Sequence, residues 1–178
     1  MGQFIGGRAE SDGMTDQSLL NDDDFLRRSF DIARRAVTNG NHPFGALLVD
    51  TDGTVLLECE NSFNPGHDGT AHAERLVCTQ ASTTLTPEVL ARATLYSSAE
   101  PCAMCAGAIY WVGIGRLVYG LGEARLKAIT GAHPENPTLD LPCRKVFASG
   151  QKTIDVVGPL LEDEAAEVHE DFWTAKST

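Results

Sequence analysis

No apolar run in this chain of 178 residues approaches the ~20 needed to span a bilayer. Its opening residues lack a charged start followed by an apolar stretch, so no secretory signal is expected. Basic residues are scarce: 14 Lys+Arg stand against 25 Asp+Glu, a formal net charge of −11. Binding a phosphate backbone takes several clustered cations. The nearest clusters, Arg27-Arg28 and Arg34-Arg35, are balanced by Asp22, Asp23, Asp24 and Asp31 and read as a solvated helix face. Nucleic acid and membrane are thus disfavoured as partners. Cysteine is sparse too. Five residues, two of them in a C-x-x-C, fit a reducing cytoplasm better than a disulfide framework.

What remains is a composition with a core to bury, 42% hydrophobic, and no internal repeat or interdomain linker. Residues 1–20 are polar and glycine-bearing and read as a disordered tail; 21–178 read as one domain. Asn21 to Asn39 carries Leu26, Phe30, Ala33 and Val37 at helical spacing, with acids first and Gly40 after. Gly45–Asp50 and Val55–Glu60 flank an Asp52-Gly53 turn and form a hairpin. A loop over Asn61–Gly69 leads to a helix from about Ala71. Thr94–Ser98 is a strand, followed by Pro101 and a helix to about Trp111. Arg116–Gly120 and Thr153–Val157 are the last strands, spaced for a parallel crossover, and a helix from about Leu161 to Trp173 closes the chain. Strand–helix alternation after the hairpin predicts an α/β fold: a five-stranded mixed sheet with helices on both faces.

The chemistry gathers at His72-Ala73-Glu74 and Pro101-Cys102-Ala103-Met104-Cys105. Catalytic zinc takes three protein ligands and keeps a fourth position open. His72, Cys102 and Cys105 supply that number and type, and the cysteines stand one helical turn apart. Glu74 stays free of the ion. Zinc lowers the pKa of a bound water toward ~7, and one carboxylate can serve as general base and then general acid. Two other readings stand beside this one: a redox dithiol, and a structural zinc with a fourth ligand from Cys59, Cys78, Cys143 or His67.

The pattern H-x-E with P-C-x-x-C is the signature of zinc nucleobase deaminases. On Thr70-Ala71-His72-Ala73-Glu74 and on Glu100 through Ala108, the chain resembles the cytidine/deoxycytidylate deaminase superfamily. More narrowly, it looks like the branch of bacterial guanine deaminases and tRNA adenosine deaminases, over roughly Asp22 to Trp173. The resemblance implies a three-layer α/β/α fold, one Zn²⁺ per subunit held by His72, Cys102 and Cys105, catalysis by Glu74, and a homodimer. His42-Pro43-Phe44-Gly45-Ala46 is similar to the guanine deaminase form, in which an aromatic ring stacks on the base. The tRNA enzymes usually carry a smaller aliphatic residue there. By the same resemblance Asn61 hydrogen-bonds the base, Ala73 adjoins it and Trp111 lines its pocket. Glu135, in His133-Pro134-Glu135-Asn136, would accept from ring N–H and NH₂ donors, with Asp140, Glu123 and Glu100 as alternatives. The expected reaction is zinc-dependent hydrolytic deamination of a small purine base or nucleoside, guanine first. The alternatives are tRNA adenosine and another amino-heterocycle of cytosine, aminotriazine or aminopterin type. Gly131–Gly150 is longer than in the simplest guanine deaminases, and the ending looks more like that of the tRNA enzymes.

Overall fold

The computed structural model describes residues 20–131, 133–170 and 172–173. The expected disordered tail falls, but for Leu20, outside the described residues. Helix α1 (Asp22–Thr38) opens on three aspartates that complement its dipole. It is followed by β1 (Gly45–Val49) and β2 (Val55–Glu60), α2 (Ala73–Thr84), α3 (Pro87–Arg92), β3 (Thr94–Ala99) and α4 (Ala103–Val112). Then come β4 (Arg116–Leu121), α5 (Glu123–Thr130), α6 (Cys143–Ala148), β5 (Asp155–Val157) and α7 (Glu162–Glu167).

The five strands lie in the order β2-β1-β3-β4-β5. β1 pairs antiparallel with β2 and β3; β4 runs parallel to both β3 and β5. Alternation along the strands builds two cores. Ala46, Leu48, Leu95 and Leu117 face Val77, Ala81, Ala106 and Ile109 of α2 and α4. Leu47, Val49, Tyr96 and Val118 face Leu26 and Phe30 of α1 and Ala165 of α7. The fold is therefore the expected three-layer α/β/α sandwich. β1 must lie close under α1, and Gly45 permits it: a Cβ there would stand 2.6 Å from both Ala33 N and Ser29 O. Among the described residues, no helix is long and apolar enough to cross a membrane.

Two expectations need correction. The closing helix stops at Glu167 rather than reaching Trp173. Beyond it the chain turns, because Trp173 is drawn out of helical phase onto the rings of His42 and Phe44, where it is buried. The second helix starts at Ala73, with His72 as its N-cap, not at Ala71.

Candidate active site

β3 and β4 end on the same side of the sheet, and the segments that follow carry much of the site. Cys102 is the N-cap of α4, with Cys105 in its first turn; Pro101 precedes the cap and ends the extended run from β3. His72 caps α2 alongside. Its Nδ1 lies 3.7 Å from Cys102 Sγ and 3.6 Å from Cys105 Sγ. A tetrahedral zinc with ordinary Zn–N and Zn–S bonds has an N···S edge of ~3.6 Å. The donor set therefore fits zinc in type, number and spacing. None of Cys59, Cys78, Cys143 or His67 joins the cluster.

The hydrogen bond from Cys105 brings the Cys102 thiol down to about 4, against burial and with help from His72. That same bond, together with burial, pushes Cys105 well above the ordinary thiol range. The hydrogen bond to Cys102 raises the His72 ring, with burial opposing.

Glu74, on the first turn of α2, is buried beside the cluster. Ser97 Oγ of β3 donates to its Oε1 at 3.1 Å, which fixes the carboxyl. Burial raises its pKa, offset in part by the charge of His72. A single carboxyl held in this place can take a proton and later return it. Zinc, when bound, supplies a water acidified to near-neutral pKa as nucleophile.

A cavity of about 520 Å³ opens over these groups. Phe44, Phe63, Met104, Leu126 and Leu139 give it apolar walls; among the described residues Glu74, Glu100, Glu123 and Glu135 are its four acidic side chains, and no Lys or Arg lines it. Phe44 and Glu135, expected to contact substrate, both line this cavity. Asn61 does not line the cavity. It is buried, and its Oδ1 accepts from the Phe63 N–H at 3.1 Å. Ala73 is packed in the core under the sheet.

Trp111 is a correction: it is 79% exposed and edge-on to Tyr110, away from the cavity. Helical phase explains this. Cys105, Ala106 and Ile109 form the buried stripe of α4. At about 100° per residue, Trp111 lies some 200° round from Ile109. Asp140 pairs with Lys127 at 3.2 Å and does not line the cavity.

Glu100 has a structural task as well. Its two oxygens accept from the N–H of Glu123 and of Cys143, at 3.1 and 3.0 Å, which secures the starts of α5 and α6. Glu123, half-buried on the cavity wall, is pushed up to about 7 by burial and by the charges of Glu100 and Cys102. Sequence reasoning missed His42, whose Nε2 is 3.1 Å from Glu135 Oε2. The signal available was its place in the same short motif as Phe44.

The zinc-binding region that defines the cytidine and deoxycytidylate deaminase family matches residues 20–121. The chain belongs to that family, and it is a zinc-dependent deaminase, a hydrolase. A probable cytosine deaminase from Schizosaccharomyces pombe is 39% identical over 84% of this chain and 90% of its own length. The guanine deaminase of Bacillus subtilis is 41% identical over 52% of this chain and 59% of its own. Proteins named tRNA-specific adenosine deaminase are also similar. Among solved structures, NE0047 in complex with 2,6-diaminopurine superposes with a TM-score of 0.73 at 28% identity, covering 90% of this chain and 85% of that one.

Proposed function

We propose that the substrate is a free purine base, guanine first, deaminated with His72, Cys102 and Cys105 holding zinc and Glu74 moving the protons. The observation that carries this reading is the wall of the cavity: four glutamates, aromatic and aliphatic faces, and, among the described residues, no Lys or Arg. Guanine presents ring N–H and exocyclic NH₂ on one edge, and a carboxylate accepts such donors in pairs. Glu135 supplies that carboxylate and Phe44 a face for the ring. The ligands of NE0047, 2,6-diaminopurine and, in a mutant, 8-azaguanine, support the same reading. A tRNA would bring phosphates to an acidic rim on a chain of net charge −11, an unfavourable encounter. Cytosine is the second reading, favoured by the Schizosaccharomyces pombe relative.

Glu74 takes one proton from the attacking water and gives it to the ring nitrogen, then takes the second from the new hydroxyl and gives it to the amine, which leaves as ammonia as the carbonyl forms. We keep the homodimer as part of the proposal; light scattering on the purified chain tests it. Ammonia release from guanine, guanosine, cytosine, adenosine and tRNA tests the substrate. Activity on guanine and not tRNA is expected; activity on tRNA alone contradicts the reading.

A further inference from the structure

We infer that His42 is a positioning residue for substrate selection: its ring holds the Glu135 carboxylate in the cavity, in the orientation that receives the base. This rests on the reading of Glu135 as the base-binding acid. The support is a closed ring of contacts. His42 Nε2 meets Glu135 Oε2 at 3.1 Å, the histidine side chain 8% and the glutamate 40% exposed. His42 itself is clamped between Phe63, at 5.0 Å and 32°, and Trp173, at 5.5 Å and 29°. Trp173 also packs on the edge of His133 at 5.1 Å. His133 Nδ1 in turn accepts from the backbone N–H of Glu135 at 3.2 Å. Both the backbone and the carboxylate of Glu135 are therefore tied to one aromatic stack, drawn from segments far apart in the chain.

The physical consequence is preorganisation. Glu135 lies outside any helix or strand. A glutamate in such a segment would give up rotamer freedom on gripping its substrate. One already held on folding does not, and binding is tighter by that difference. His42 does not itself line the cavity. Its effect should therefore fall on affinity rather than on the chemical step.

The test uses the full zinc-loaded chain, with KM and kcat for guanine and Kd for 8-azaguanine, in His42→Phe, His42→Gln, Glu135→Gln and the double variant His42→Phe/Glu135→Gln. His42→Phe keeps a flat ring in the stack and removes the donor. It should raise KM and Kd roughly tenfold, with kcat within about twofold. His42→Gln carries an amide N–H at the Nε2 position and should recover most of the loss. In the Glu135→Gln background, His42→Phe should add nothing, since the group it positions is already altered. If His42→Phe does not fold, His42→Asn takes its place. Its amide stops short of Nε2, so it should show the same loss. The inference is overturned if Glu135→Gln weakens binding while the His42 variants do not. It is overturned equally if the two losses add in full. If Glu135→Gln leaves both Kd and KM unchanged, the recognition reading itself fails, and the role of His42 with it.

Discussion

In the proposed mechanism Glu74 moves protons while His72, Cys102 and Cys105 hold zinc, and substitution separates the parts. Glu74→Gln should keep zinc and lose turnover by about two to four orders of magnitude, the usual weight of a general acid–base. Cys102→Ala or His72→Ala should lose zinc and turnover together. Zinc by elemental analysis beside ammonia release reads both; loss of metal from Glu74→Gln would reverse the assignment. Glu123 gives a second prediction, in stability. Its folded pKa of about 7 lies above the ordinary glutamate value of 4.5, raised by burial. The folded state thus binds its proton more tightly, and the stability this contributes is lost as pH rises through that window. Glu123→Gln should raise Tm relative to the parent at pH 8, and by less at pH 5. Equal shifts at both would mean that the carboxyl is not perturbed by burial.

At the scale of elements, the seam between α1 and the sheet is the sensitive one. Gly45→Ala would push a methyl against Ala33 N and Ser29 O. Overpacking of that kind costs about 2 kcal/mol, measurable as a lower urea midpoint. The other end of α1 is pinned by Asp22, which accepts two bonds from Arg116, each 2.8 Å, and one from the Tyr96 hydroxyl at 2.7 Å. Burial opposes ionisation of Asp22, yet these bonds and the Arg116 charge hold its pKa below the ordinary range. The stability that this pairing contributes is present above the ordinary aspartate pKa and is lost as pH falls through the folded value. Arg116→Met should destabilise by about 2 kcal/mol, from a carboxylate left without its partner. Its urea midpoint should fall least at acid pH, where Asp22 is protonated; an unchanged midpoint at neutral pH would contradict the pairing.

The strands of this fold were legible because period-2 alternation and continuous apolar runs mark them. α3, α5 and α6 were not. α3 and α6 are six residues and α5 eight, too short for a helical stripe to stand out from loop composition. The metal donors were legible from the H-x-E and P-C-x-x-C motifs together, and the fold brings His72, Cys102 and Cys105 into one cluster. Trp111 was misplaced because a motif was read without its helical phase. The contact of His42 with Glu135 could not be read at all, because no local pattern joins residues 93 positions apart.

The molecule as a whole brings an acidic, aromatic cavity to the ends of two parallel strands, beside a three-donor metal cluster. Binding groups that must be satisfied in hydrogen bonds reject analogues that lack the donors. Selectivity between small bases is therefore the sharpest consequence of the cavity's chemistry. The direct measurement is kcat/KM for guanine against cytosine on the same zinc-loaded preparation. The account predicts that guanine is preferred by at least ~100-fold. Preference for cytosine, or equal use of the two, would contradict it.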